Sequence, residues 1–180
     1  MNTVKTVRNI AFGGVTAAAS VALLFLGGVA DIAMYVAPLA AGALMIALVY
    51  ESGRATAVTS YAATCLLAML LVTSKEVVFL YVFFAGYYGI VKPYFDRIKP
   101  HWLSFAVKVL YFNAAMAAAY ALLLLVIAPP ELVSEFAENG IGYALTLLAL
   151  GNLIFIIYDV LLRFALVFYV KKLRPKLGLK

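Results

Sequence analysis

The residues of this chain that could do chemistry are few, and apolar stretches separate them. His101 is the single histidine, and Cys65 is the single cysteine. The sequence contains no HExxH, GxSxG or Walker A motif, which are the signatures of zinc proteases, serine hydrolases and P-loop ATPases. We therefore predict no catalytic residue, no metal site and no cofactor, and expect that the protein is not an enzyme.

Two amides inside apolar runs are candidates for a polar binding site. Asn113 and Asn152 lie in different runs, each about 15 Å from the nearer end if the runs are helical. Amides at one depth can hydrogen-bond to each other or hold a ligand between them. The sequence leaves both alternatives open.

Three charged residues also lie within apolar runs. Asp159 and Arg163 are four residues apart and share a helix face, and Lys108 lies at a comparable depth. Because all three fall near the inner ends of their runs, we interpret them as an interfacial ion cluster whose long side chains reach the membrane surface. A proton or ion relay is the alternative.

Aromatic side chains supply the other candidate binding groups. Phe79 and Phe83 are one helical turn apart, and three tyrosines fall toward the same side of the membrane. Such side chains can line an outward-facing pocket for a flat, apolar-faced ligand, although aromatic residues that face lipid have the same pattern. The predicted substrate-binding residues are Tyr35, Phe79, Phe83, Asn113, Tyr120, Tyr143 and Asn152.

The elements that must position these residues are membrane helices. Hydrophobic residues make up 67% of the 180 residues and charged residues only 12%, whereas about a quarter of a soluble domain is charged. The apolar runs do not alternate apolar and polar residues, which favours helices over barrel strands. We predict an all-α membrane protein, one domain over residues 1–180, with six transmembrane helices in a compact bundle. The predicted spans are 10–28, 32–50, 55–73, 76–91, 103–128 and 141–170.

The basic residues predict the orientation of these spans. Nearly all of them fall on one side, which is typical of the cytoplasmic side, so both termini are predicted to be cytoplasmic. The segment from Pro129 to Gly140 is predicted to be an acidic outer loop. Because the net charge of +6 is concentrated beside the membrane, we expect contact with anionic lipid rather than nucleic acid. The predicted location is a cell membrane, the bacterial inner membrane.

The first span carries a ladder of small residues. Gly14, Ala18 and Ala22 recur every four positions, a spacing that lets two helix backbones approach closely. Ordinary packing within this chain would explain the ladder. A docking surface for another membrane subunit is the alternative.

Two features of the sequence together resemble the S component of energy-coupling factor (ECF) vitamin transporters. They are the predicted six-span topology and the small-residue stretch RNIAFGGVTAAASVALLFLGG at residues 8–28. The resemblance implies a vitamin-like ligand near the outer face and docking through Gly14, Ala18 and Ala22 onto a membrane T component. It also implies that a pair of ATPase subunits hydrolyses the ATP. Members of that family often have a long outer gate between helices one and two. Here that connection is short, around Asp31, so the acidic loop would have to contribute more to gating.

Two other classes remain open from the sequence. A non-transporting membrane assembly or cell-shape protein, similar to MreD, has a comparable size and helix number and needs no ligand pocket. A small ion-coupled carrier is the other alternative, although the spans contain no clear intramembrane carboxylate. Association with ATPase subunits would distinguish the S component from both.

Overall fold

The structure, a computed structural model, describes residues 3–29, 33–126 and 130–176. Every regular element in these ranges is helical, as the apolar runs predicted. The α-helices are α1 (Thr3–Val29), α2 (Val36–Leu71), α3 (Lys75–Leu80), α4 (Gly86–Phe95), α5 (His101–Val126), α6 (Pro130–Phe168) and α7 (Arg174–Lys176). A π-helical turn, Tyr81–Ala85, joins α3 to α4, and a second one, Tyr169–Leu173, joins α6 to α7.

Five helical stretches in the described ranges are long and apolar enough to cross a bilayer. This arrangement is compatible with a multi-pass membrane protein, since about 20 apolar residues span the hydrocarbon core. The number is one fewer than predicted because the predicted spans 32–50 and 55–73 both fall within one stretch. The side on which each terminus lies stays a prediction. The five stretches are Lys5–Val29, Val36–Leu71, Lys75–Phe95, His101–Leu122 and Gly140–Lys176.

The helix α2 nevertheless folds back on itself. A β-carbon built on Gly27 would collide with Ala37, and one built on Gly28 would lie 3.0 Å from Val72 Cγ1. Both ends of α2 therefore lie against the same end of α1. A straight helix of 36 residues would hold its ends about 54 Å apart at 1.5 Å per residue. The helix must contain a reversal.

The reversal is at Gly53, whose φ of 81° and ψ of 175° are non-helical. This conformation is essentially restricted to glycine because a β-carbon would clash with the backbone. We call residues 36–52 the first arm and residues 54–71 the second arm. Their limits are close to the predicted second and third spans.

We expect Gly53→Ala to lower the free energy of unfolding by about 1–3 kcal/mol, because alanine cannot adopt this conformation without strain. Gly142→Ala is the matched control, since its new β-carbon would meet no atom within 4 Å and its φ is not positive. Denaturant unfolding in detergent measures both variants. Equal stability of the two would show that the reversal does not depend on glycine.

One face of α1 packs against α2. Its buried residues are spaced alternately by four and three positions, the pattern of one helix face. Ser60 Oγ on the second arm donates a hydrogen bond of 2.8 Å to the carbonyl of Gly13. The glycine permits this close approach, since a β-carbon there would lie 2.9 Å from that oxygen. The buried face consists of Gly13, Ala17, Ser20, Leu24 and Gly27.

The predicted acidic outer loop is wrong in its secondary structure. The chain is helical from Pro130, and the break comes at Gly140, with φ 59° and ψ −150°. Residue 129 and the predicted short connection around Asp31 lie outside the described residues. The segment predicted as a loop is thus mainly the beginning of α6.

The chain divides into two compact units, which we describe separately. The first unit comprises Met1–Pro93 and Leu161–Lys180, and the second comprises Tyr94–Val160. Within the second unit α5 and α6 pack antiparallel. Phe112 stacks on Phe155 with ring centroids 4.8 Å apart. The prediction of one domain over residues 1–180 stays a prediction.

Candidate functional site

The predicted substrate-binding residues are distributed over both units. Tyr35, Phe79 and Phe83 belong to the first unit, and the remaining four belong to the second. The side chain of Tyr143 lies outside the described residues. A pocket that combines all seven residues stays a prediction.

The aromatic residues of the first unit differ in exposure. Phe79 and Phe83 stack with ring centroids 5.7 Å apart and an angle of 16° between their planes. Phe79 is buried in the core of the chain. Tyr35, directly before α2, is 60% exposed. In the second unit Tyr120 is half-buried on α5.

The two amides of the second unit hydrogen-bond to each other. Asn113 Nδ2 donates to Asn152 Oδ1, and Asn152 Nδ2 donates to Asn113 Oδ1, both at 3.0 Å. Each Nδ2 also donates at 2.8 Å to the carbonyl one turn earlier in its helix, that of Val109 or Leu148. Because an amide nitrogen has two N–H donors, all four donors of the pair are used. A ligand held between the amides would have to replace one of these bonds.

A buried ionic cluster lies further along the same two helices. The Lys108 ammonium on α5 contacts a carboxylate oxygen of Asp96 and lies 3.3 Å from both carboxylate oxygens of Asp159 on α6. Lys108 is only 2% exposed, and Asp159 is 8% exposed. Our expectation that the Lys108 side chain reaches the membrane surface is therefore wrong. Arg163, by contrast, is exposed.

Asp96 is the member of this cluster that our sequence analysis missed. It directly follows α4, in a segment whose charges we used only for orientation. Ser104 Oγ donates a 2.6 Å hydrogen bond to the carbonyl of Phe95, which holds the chain near Asp96 against α5. Lys108 lies one turn beyond Ser104, on the same face of the helix. No pattern in the sequence around Asp96 indicated that it pairs with Lys108. The pairing depends on the conformation of the turn between α4 and α5, which the sequence analysis did not predict.

In this cluster the Lys108 ammonium lies between two carboxylates. Burial of ions in a low-dielectric region is costly unless each ion has a partner of opposite charge. Lys108 serves both carboxylates, and the Asp96 side chain is still 36% exposed, so water shares its charge. The arrangement joins the segment after α4 to α5 and α6. It places no nucleophile beside a base.

The small-residue ladder on α1 faces outward. Gly14, Ala18 and Ala22 are all exposed, whereas the buried face of the same helix uses other residues. A β-carbon on Gly14 would meet no atom within 4 Å. Packing within the described part of the chain therefore does not use this ladder. We call these three residues the outer ladder.

No family model matches this chain, and no curated protein or solved structure matches it. In the described ranges, no three His, Cys, Asp or Glu side chains are grouped so that they could hold a metal ion. The class of this protein is therefore inferred from its own sequence and structure. It is an all-helical protein whose long apolar helices are compatible with several membrane crossings.

Proposed function

We propose that the protein is the substrate-capturing subunit of a multi-subunit membrane transporter that takes up a vitamin or similar micronutrient. In this proposal partner subunits hydrolyse the ATP, and the chain itself is not an enzyme. The observation that supports it most is the exposure of the outer ladder on α1.

The helix α1 has two small-residue faces with different uses. The face that includes Gly13 and Ala17 is buried within the chain, while the face of Gly14, Ala18 and Ala22 is exposed. Helices in lipid associate through close backbone contact, since lipid tails already satisfy apolar side chains. A small exposed face suits a second helix better than it suits lipid, because small side chains leave the backbone accessible. We propose that a membrane T component docks there.

The proposed topology has six spans with both termini cytoplasmic. The reversal at Gly53 supports this number, since each arm of α2 is near the lower limit of about 17 residues for a membrane crossing. An even number of crossings puts both termini on one side, and the basic residues favour the cytoplasmic side. The proposed membrane is the inner membrane of a bacterium.

Within the second unit, the proposed ligand site uses the predicted amide residues and the predicted aromatic residue Tyr120. Asn113 and Asn152 place polar groups among apolar helices, and Tyr120 lies two turns further along α5. The satisfied amide pair supports a ligand that contacts its edge rather than one that separates it. The resemblance to S components supplies the vitamin-like class of this ligand.

The double variant Ala18→Leu, Ala22→Leu is expected to abolish association with a T component and an ATPase pair, because the leucine side chains prevent close backbone contact. The measurement is purification of the tagged protein from native membranes, with identification and quantification of co-purified subunits. The control is Ala114→Leu, Ala118→Leu, which makes the same change at the same spacing on an exposed face of α5.

Each outcome of this experiment separates the alternatives. Loss of the ATPase pair in the α1 variant but not in the control supports the proposal. Retention of the pair by both variants would exclude docking through the outer ladder. Purification of the unmodified protein with a membrane partner but no ATPase would favour the assembly-protein alternative.

The buried Asp159 is an observation that bears on the ion-coupled alternative. It is a carboxylate inside an apolar helix, which that alternative needs. The Lys108 ammonium already contacts this carboxylate, so a coupling ion would have to displace the lysine. We therefore interpret the cluster as a connection between chain segments and retain the transporter subunit as the proposed function.

A further inference from the structure

Two distant segments of the first unit lie beside the reversal at Gly53. Near the beginning of α1, Asn9 Nδ2 donates a 3.5 Å hydrogen bond to the carbonyl of Ser52. Near the end of the described chain, Arg174 Nε lies 2.9 Å from a carboxylate oxygen of Glu51. The beginning of α1, the reversal and the C-terminal segment therefore meet at one end of this unit.

The contact between Arg174 and Glu51 fixes the C-terminal segment at this junction. The Glu51 side chain is only 8% exposed, and the Arg174 guanidinium also lies over the Tyr50 ring, 5.7 Å from its centre. A planar guanidinium can pair with a carboxylate and lie over an aromatic ring at the same time. Because Arg174 directly follows the second π-helical turn, these contacts also position the lysines of that turn.

Six exposed side chains around this junction are basic. They lie in the first turns of α1, directly after the reversal, and on either side of Arg174. The carboxylate of Glu51 does not offset their charge at the surface, since it is buried and contacts Arg174. We call these six residues the basic surface, which consists of Lys5, Arg8, Arg54, Lys171, Lys172 and Lys176.

The opposite end of the first unit has a different charge. The end of α1 lies there against both ends of α2. The charged residues that directly follow α2 are Lys75 and Glu76, one of each sign. Lys75 Nζ donates hydrogen bonds of 2.9 and 3.0 Å to the carbonyls of Met69 and Val72, so it serves the end of α2. Among the described residues, an excess of exposed positive charge therefore distinguishes the basic surface from this opposite end.

The position of the basic surface indicates the chemistry of its partner. Lys5 is the first residue of one stretch long and apolar enough to cross a bilayer, and Lys176 is the last residue of another. The ends of such stretches lie at the level of the lipid headgroups, where anionic phospholipids attract lysine and arginine. Tyr50, which is 48% exposed, is typical of the same level. Nucleic acid also carries phosphate groups, but only a bilayer places them directly beside an apolar layer.

We propose that the basic surface binds the headgroups of anionic phospholipids, with contacts from both α1 and the C-terminal segment. Net charge alone predicts lipid contact spread over all exposed basic residues, whereas this site is limited to those that the junction brings together. It anchors the reversal of α2 at the membrane surface. The site is independent of the proposed transport function, because it uses neither the outer ladder nor the amide pair.

Removal of either side of the basic surface tests the proposal. The variants are Lys5→Gln with Arg8→Gln on α1, and Lys171→Gln with Lys172→Gln in the C-terminal segment. Each full-length protein is reconstituted in phosphatidylcholine vesicles, and electron paramagnetic resonance measures its association with spin-labelled phosphatidylglycerol relative to spin-labelled phosphatidylcholine. We expect each variant to lower this ratio by about two- to fivefold, because an exposed ion pair changes an equilibrium by up to about fivefold.

The control is Arg97→Gln with Lys99→Gln, which removes the same charge at exposed positions of the second unit and should leave the ratio unchanged. All substituted side chains are exposed, so the helices should be retained, which circular dichroism checks. Equal losses in the three double variants would show that lipid responds only to total charge and would overturn the proposal. Unchanged ratios in both surface variants would also overturn it. Displacement of the spin-labelled phosphatidylglycerol by an oligonucleotide would instead identify nucleic acid as the partner.

Discussion

Replacing Lys108 with alanine is expected to lower the free energy of unfolding by about 3–5 kcal/mol, because the change removes the cation from a buried ion cluster. Asp159, 8% exposed, would then lose the buried cation that contacts its carboxylate. Asp96 would be affected less, since its side chain is 36% exposed and solvent can stabilise it. Chemical unfolding in detergent measures this loss.

Two variants control for the loss of charge and for the pairing itself. Lys171→Ala removes an exposed lysine and should change stability by less than about 0.5 kcal/mol. Lys108→Met combined with Asp159→Leu should recover much of the stability lost in Lys108→Ala, because apolar side chains of similar volume often replace buried ion pairs well. A Lys108→Ala variant as stable as Lys171→Ala would mean that Lys108 is not paired as the structure shows.

Gly89→Val is expected to lower the free energy of unfolding by about 3 kcal/mol, at the upper end of the usual cost of overpacking. A β-carbon at Gly89 on α4 would lie 2.5 Å from the Gly42 carbonyl oxygen and 3.3 Å from Met45 Cβ. The first of these neighbours is backbone and cannot move aside as a flexible side chain would. The helix α4 and the first arm would have to separate.

Gly14→Val is the matched control for this prediction. It makes the same change on an exposed helix face, where a β-carbon would meet no atom within 4 Å. Its expected cost is small, because valine and glycine are both weaker helix formers than alanine. Thermal unfolding of both variants in one detergent gives the comparison. Similar melting temperatures would exclude a close approach of α4 to the first arm.

The helices were predictable, and their exact pairing was not. The long uncharged runs predicted nearly all of the described helices, because a chain in lipid must satisfy its backbone hydrogen bonds within each segment. The limits of the second and third predicted spans bracketed the reversal at Gly53. The helical segment after Pro130 was missed because we took its acidic residues as a sign of a loop.

The two faces of α1 show where prediction from sequence ends. Gly13 and Gly14 are neighbours, yet one is buried against Ser60 and the other is exposed. Small residues occur on both faces, so their spacing predicts a close helix contact without indicating which face makes it. Only the position of α2 decides this. The exposure of the outer ladder is therefore information that the structure adds.

The polar residues divide in the same way. The sequence predicted a common depth for Asn113 and Asn152 from their distance along each run, since a helix rises by a constant amount per residue. Their mutual hydrogen bonds depend on the antiparallel packing of α5 against α6. The partnership of Lys108 with Asp96 depends in addition on the turn that precedes α5.

By itself, the sequence determined that this protein is rich in apolar helices, carries few ionisable groups and lacks the motifs of the common hydrolases. Those properties follow from composition and from backbone hydrogen bonds within each segment, and neither depends on contacts with other segments. Only the tertiary structure decided that the outer ladder is exposed and that Lys108 is buried between two carboxylates. These features depend on contacts between segments far apart in sequence, where a rotation of one helix by a single residue would exchange the partners.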